Sequence, residues 1–122
     1  MIIIDTSVWV SFFKGLDEAG FVGDKIRENT AVLHPYVLGE LLLGGLSSQN
    51  EKLLGALHGM PAHPPERIYR FIKESTLYGK GIGWVDAAIL CSAAEVKAVL
   101  ATFDEALRAC AGDAGITCVP PL

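Results

Sequence analysis

The chain offers little sulfur chemistry. Its three cysteines, Cys91, Cys110 and Cys118, are odd in number and none belongs to a Cys-x-x-Cys pair. That excludes a disulfide framework and the common zinc spacings, and leaves reduced, mostly buried thiols of a cytoplasmic protein. Long apolar runs are missing as well. Polar or charged residues interrupt every hydrophobic stretch well before the ~18 positions of a membrane span. No basic segment precedes a longer apolar region at the N-terminus, so neither membrane insertion nor a signal peptide is expected. His34, His58 and His63 lack metal-ligand spacing and are read as surface or structural residues. No Gly-rich phosphate loop of the P-loop type occurs, and no Ser/His/Asp or Cys/His triad is evident. Excess positive charge is absent too. The net charge is −4, from 14 acidic and 10 basic residues, so a globally basic surface cannot be invoked for a polyanionic partner.

What is present suffices for one domain, residues 1–122. A hydrophobic content of 51% against 20% charged residues supports a core and is too apolar for disorder. Roughly two-thirds of the unfolded surface can be buried at this length. No repeat, low-complexity tract or linker interrupts the pattern, which alternates strands and helices. Strands are predicted at 2–4, 31–34, 99–101 and 117–119, with a short edge strand at 60–63 because Pro61 and Pro64 preclude a central one. Helices are predicted at 8–13 with Thr6 or Ser7 as cap, at 18–28, and at 35–43 opened by Pro35. A further helix starts at Ser48 with Glu51 closing a capping box, and the last three span 65–78, 84–97 and 104–111. In the helix over 84–97, Val85, Ile89 and Val96 are expected to face inward. Such alternation implies an α/β fold of three layers, a central mostly parallel sheet flanked by helices. Sites in such folds form outside the carboxyl ends of the strands.

Four acids stand where strands hand over to helices or early in the helices themselves. They are Asp5 after Ile2-Ile3-Ile4, Glu40 in Val37-Leu38-Gly39-Glu40-Leu41, Asp86 in Trp84-Val85-Asp86-Ala87-Ala88, and Asp104 in Ala101-Thr102-Phe103-Asp104. Each is embedded in apolar sequence, where a carboxylate is costly unless a positive charge meets it, and no Lys or Arg lies within two positions of any of them. Singly, Asp5, Asp86 and Asp104 could be helix caps or first-turn acids favoured by the macrodipole. Glu40, inside a helix and on the rim of its apolar stripe, is harder to explain in that way. A hard divalent cation would relieve all four at once. Setting them aside leaves ten acids against ten bases, so acidity does not exclude nucleic acid. Cleaving a phosphodiester with water needs a stronger nucleophile and neutralised phosphate oxygens. One or two divalent ions held by carboxylates provide both.

The segments Ile3-Ile4-Asp5-Thr6-Ser7-Val8-Trp9-Val10, the isolated Glu40, Trp84-Val85-Asp86-Ala87-Ala88-Ile89 and Ala101-Thr102-Phe103-Asp104 resemble the PIN-domain ribonucleases, most closely the VapC toxins of bacterial toxin–antitoxin pairs. The resemblance covers nearly the whole chain. It implies a Mg²⁺- or Mn²⁺-dependent endoribonuclease in which Asp5, Glu40, Asp86 and Asp104 are the metal-site acids. Thr6 or Ser7 and Thr102 would be polar supports. Attack by metal-activated water would leave a 5′-phosphate and a 3′-hydroxyl. It further implies a homodimer and a cognate VapB-type antitoxin that blocks the site.

Competing readings are weaker. A signalling receiver domain would show adjacent acids after the first strand and a Lys after the last, and a haloacid-type phosphatase would show Asp where Ser7 stands. A non-catalytic PIN scaffold is disfavoured by retention of all four acids. Arg67, Arg70 and Lys73, with Lys80 behind, could meet phosphates, although a solvated helix face explains such a series more simply. Trp84 is read as packing or a site wall ahead of stacking on a base, and Tyr36, Phe71 and Tyr78 as core or interface residues ahead of stacking platforms. The leucines between Leu38 and Leu57 exceed what one core face needs, so some are expected to form a surface for a dimer mate or for an amphipathic antitoxin segment.

Overall fold

In the computed structural model, which describes residues 1–120, five parallel strands form a sheet in the order β3-β2-β1-β4-β5. Strand β1 (Ile2–Ile4) lies at its centre, paired with β2 (Ala31–Leu33) on one side and β4 (Val99–Ala101) on the other. Its three isoleucines are almost fully buried, which explains why the run is continuous rather than alternating: both faces are covered by helices. Strand β3 (His58–Gly59) and β5 (Cys118–Val119) are the two edges. The chain builds outward from β1 to β3, then returns to the other side of β1 for β4. The order therefore reverses between β1 and β4, and the crevice position of such sheets lies there, beyond their carboxyl ends.

Helix α1 (Thr6–Phe13) follows β1 and seats Val8 and Trp9 in the core. Helices α2 (Phe21–Arg27), α3 (Pro35–Leu43), α4 (Ser48–Gly55), α5 (Pro65–Glu74), α6 (Trp84–Val96) and α7 (Glu105–Asp113) complete the two outer layers. Among the described residues, no helix is long and apolar enough to cross a membrane.

Local chemistry moved several expected boundaries. Asp5, not Thr6 or Ser7, caps α1. The helix expected over 18–28 is broken: a 3₁₀ turn at Asp17–Ala19 precedes α2, with Ala19 and Gly20 donating to carbonyls only three residues back. Ser47, not Ser48, caps α4 by accepting from Asn50 N at 3.1 Å. Glu51 then falls one position too late for the box. The edge strand sits two residues earlier than 60–63. Met60 makes the last ladder bond, to Leu33 O, and the prolines beyond it cannot donate. Helix α5 ends four residues short of 78 because Thr76 turns left-handed (φ 53°) and Leu77 folds back to bond Ile72 O.

Helix α6 is buried continuously from Ala87 to Ala93. Small alanines let neighbours approach it on several sides, so burial is not confined to one stripe. Val96 accordingly lies at the surface and Val85 is only half-buried. Of the leucines between 38 and 57, Leu41 and Leu54 are buried and Leu38, Leu46, Leu53 and Leu57 pack partly against the core. Leu42 and Leu43 are exposed, Leu43 by 90%.

Candidate active site

Asp5 stands at the reversal point. Its amide donates to Ala101 O on β4 at 2.9 Å, locking the ends of the two central strands together. The residue is only 7% exposed. Oδ1 accepts from Thr6 N at 2.8 Å as the helix cap, and Oδ2 accepts from Thr102 Oγ1 at 2.9 Å and from Ser7 Oγ at 3.4 Å. Thr102 is itself completely buried at the end of β4. Its single hydroxyl donates to Asp5 and accepts Asp104 N at 3.1 Å, so one side chain ties two of the acids to the strand ends. Asp104 caps α7 by accepting from Leu107 N at 2.8 Å.

The other two acids arrive from more distant elements. Glu40 projects from α3, and its Oε1 accepts from Thr6 Oγ1 at 2.6 Å. Thr6 thus fastens α3 to the start of α1. Asp86, in the first turn of α6, accepts from Gly83 N at 3.2 Å through Oδ2. Glu40, Asp86 and Asp104 each keep one oxygen with no donor among the described residues.

Electrostatics joins the four. Burial raises the Asp5 carboxyl above its ordinary 3.8, opposed by the hydrogen bonds from Thr102 and Thr6 and reinforced by repulsion from Asp86 and Glu40. Asp86 is raised by burial, eased by the Gly83 amide, and raised further by Asp104 and Glu40. The ion pairs among the described residues join Lys25 to Glu28, Arg27 to Asp24 and Arg67 to Glu95, and none reaches these acids. The cluster is an uncompensated negative field at one edge of the sheet. Among the described residues, no three His, Cys, Asp or Glu side chains close to metal-enclosing distance. Repulsion couples Asp5 to Asp86 and Glu40, and Asp86 to Asp104 and Glu40, without their closing to that distance. The donor set is oxygen only, with free lone pairs on three members, and suits a hard divalent cation.

Two residues outside the acidic set, His34 and Arg108, support this arrangement. Of the two readings open for His34, surface or structural, the second holds: it is buried and caps α3 by accepting Tyr36 N at Nδ1, which leaves Nε2 to donate to Ser92 Oγ of α6 at 3.2 Å. It fixes the helix that carries Glu40 against the helix that carries Asp86. Burial, with some repulsion from His63, lowers its pKa to about 4. Arg108 on α7 donates to Thr102 O at 2.9 Å and steadies the end of β4. The only sequence signal for it was a cation one turn after Asp104. Tyr78, expected in a core or interface, is 66% exposed.

The family model described as the PIN domain matches residues 2–113. Ribonuclease VapC32 of Mycobacterium tuberculosis, in strains CDC 1551 / Oshkosh and ATCC 25618 / H37Rv, is 33% identical over 119 residues, covering 95% of this chain and 94% of the relative. Among solved structures, FitAcB from Neisseria gonorrhoeae superposes with a TM-score of 0.67 at 22% identity, covering 99% of this chain and 98% of that one. PAE2754 from Pyrobaculum aerophilum gives 0.67 at 17% identity, over 97% and 83% of the two chains. A toxin–antitoxin complex from Klebsiella pneumoniae gives 0.63 at 18%, over 85% and 87%. These structural likenesses share the fold, while the family match and the 33% relative extend to nearly the full sequence. The chain belongs to the PIN-domain family.

Proposed function

We propose that this protein is a divalent-cation-dependent endoribonuclease and the toxin of a VapBC-type toxin–antitoxin pair. The observation that carries the proposal is the set of mutually repelling acids Asp5, Glu40, Asp86 and Asp104 in a PIN-family fold, which no ion pair among the described residues reaches. RNA as the substrate rests on membership of the family and on the activity in the name of the 33% relative.

In this reading the four acids are the metal ligands, with Thr6, Ser7 and Thr102 as their supports. Bound Mg²⁺ or Mn²⁺ would supply a nucleophile at neutral pH and neutralise charge on the phosphate oxygens. The chain's own part is positional. The Thr6 amide and Thr102 hydroxyl hold the Asp5 carboxylate in one orientation. The Thr6 hydroxyl sets the reach of Glu40, and the Gly83 amide sets that of Asp86. Hydrolysis of a phosphodiester held there leaves a 5′-phosphate and a 3′-hydroxyl.

The antitoxin reading is supported by an apolar groove of about 250 Å³ lined by Val10, Phe13, Leu41 and Leu46, which runs up to Glu40. An amphipathic antitoxin segment lying in it could carry a basic side chain to the acids and so block them. The exposed Leu42 and Leu43 suit a homodimer contact. Three free thiols are in keeping with a cytoplasmic location.

The test is cleavage of end-labelled RNA by the purified chain with Mg²⁺ or Mn²⁺, with EDTA, and by Asp5→Asn. Metal-dependent cleavage that Asp5→Asn lacks is expected. Cleavage that persists in EDTA or in the variant overturns the assignment.

A further inference from the structure

Three exposed aromatic rings gather beside Asp86. Trp84, two positions ahead of it at the start of α6, is 42% exposed, Tyr69 on α5 is 53% exposed and Tyr78 in the following loop is 66% exposed. The Trp84 and Tyr69 rings meet at 5.6 Å between centroids with planes tilted by 51°. That geometry leaves both rings partly open to solvent. Trp84 and Tyr78 also line one hollow of about 250 Å³, walled by Ile72, Leu77, Ile82 and Gly83. Gly83 is also the residue whose amide holds Asp86, so the hollow abuts the turn that positions this acid. The Tyr69–Trp84 contact bridges α5 and α6, yet packing between the helices leaves roughly half of each residue in solvent.

Charge narrows the occupant. Lys73 lies one turn beyond Tyr69 on the same face of α5. Lys80 stands between Gly79 and Gly81, whose φ values of 73° and 81° make a tight turn directly after Tyr78. Both lysines are exposed, and neither joins an ion pair among the described residues. Lys80 follows Tyr78 by two residues and Gly83, whose amide holds Asp86, follows Lys80 by three, so the turn carries its charge between the rings and that acid. An apolar protein helix would leave two lysines unanswered. A nucleotide brings a flat ring for the aromatics and a phosphate for the lysines.

We propose that Trp84, Tyr69 and Tyr78 form a base-binding subsite in which an unpaired nucleobase next to the scissile phosphate of single-stranded RNA stacks on Trp84, with Lys73 and Lys80 on the flanking phosphates. The proposal rests on the ribonuclease reading above. Because a base inside a duplex cannot present its face to a side chain, the subsite selects single-stranded or looped RNA. Stacking tolerates sequence, so the choice is of strandedness more than of base identity.

The experiment pairs binding with kinetics. Binding is measured without metal, by titrating Asp5→Asn with a single-stranded RNA of about 12 nucleotides and with its duplex, reading tryptophan emission. Trp9 is buried and Trp84 exposed, so quenching reports Trp84. Single-stranded RNA should quench, and adding Trp84→Leu should remove the quench and weaken binding about 10-fold, with a smaller loss for Tyr69→Leu. In the active protein, Trp84→Leu should raise KM by a similar factor and leave kcat within about twofold. An RNA with one abasic nucleotide next to the cleavage site should reproduce the loss in the unaltered protein, so the result holds even if Trp84→Leu folds poorly.

Unchanged KM and binding in Trp84→Leu, or abasic RNA that binds as well as intact RNA, overturns the subsite while cleavage by the parent protein leaves the nuclease reading standing. Unchanged RNA binding with lost antitoxin binding assigns the rings to a protein partner and likewise overturns it. If no metal supports cleavage by the parent, the nuclease reading fails. The subsite is then decided by the metal-free quench alone, its presence upholding the subsite and its absence overturning it.

Discussion

Replacing Thr102 by Val isolates the hydrogen bonds that tie the acids to the strands. The Thr102 side chain is fully buried, so a valine of nearly the same shape leaves no cavity and removes only the hydroxyl. Two partners are then lost at once: Asp5 Oδ2 loses its 2.9 Å donor and Asp104 N its 3.1 Å acceptor. Of the influences that favour the ionised Asp5, the Thr102 bond is the largest, and a hydrogen bond to a charged group contributes about 1.5–3 kcal/mol. A loss of about 2 kcal/mol corresponds to a fall in Tm of roughly 5–8 °C in a domain of this size. The effect should shrink as pH falls, because a protonated Asp5 no longer needs the donor. Divalent-metal affinity, read by calorimetric titration with Mn²⁺, should drop about 10- to 100-fold, with Thr102→Ser restoring most of it. If Thr102→Val melts and binds Mn²⁺ as the parent does, the hydroxyl does not position Asp5, and the account of the crevice is wrong.

Asp5→Asn should abolish metal-dependent cleavage yet raise Tm in EDTA, since it removes a buried charge that faces Asp86 and Glu40; a lower Tm in EDTA would contradict the repulsion. Asp5 and Asp86 both titrate above 3.8 when folded, so the folded state retains protons that the unfolded chain has released. Their contribution to metal-free stability is fully present below the unfolded value and lost as pH rises through the folded values, and denaturant titrations in EDTA should show a shallower slope in Asp5→Asn, with the share of Asp86 remaining. His34 runs the other way. Its folded pKa of about 4 lies below the ordinary 6.5, so its contribution is intact above 6.5 and lost as pH falls towards about 4. An NMR titration placing the His34 ring near 6.5 would refute its burial as a neutral cap. Leu43→Lys should convert the expected dimer to a monomer by light scattering with little change in Tm, because the side chain is 90% exposed; a parent that is already monomeric refutes the contact.

Much of the frame was legible because its signals are local. The Ile2-Ile3-Ile4 run, Pro35 at a helix start and Gly44-Gly45 after a helix end act through backbone conformation and burial, which short windows of sequence reveal. The four acids were visible as carboxylates at element junctions, and the strand order then carries their elements to one edge. How they are held was not legible. Thr6 bonds Glu40 across 34 positions and Thr102 bonds Asp5 across 97, and neither pairing exists until β1 and β4 lie side by side. Val96 was misplaced because helical periodicity assumes one buried face, whereas α6 is enclosed around its middle and emerges at its end. Ser47 and Ser48 are chemically equal as caps, and only the approach of the preceding loop decides between them. His34 carried no signal apart from its place before Pro35, since its partner Ser92 lies 58 positions away.

The central claim is that Asp5, Glu40, Asp86 and Asp104 together hold a divalent cation. An anomalous difference map from a crystal of the chain grown with Mn²⁺ tests it most directly. The account predicts a peak in the crevice beyond β1 and β4, within carboxylate-ligand distance of Asp5 and at least one of the other three, and its absence in Asp5→Asn crystals. A map with no peak there, or with its strongest peak on other residues, would contradict it.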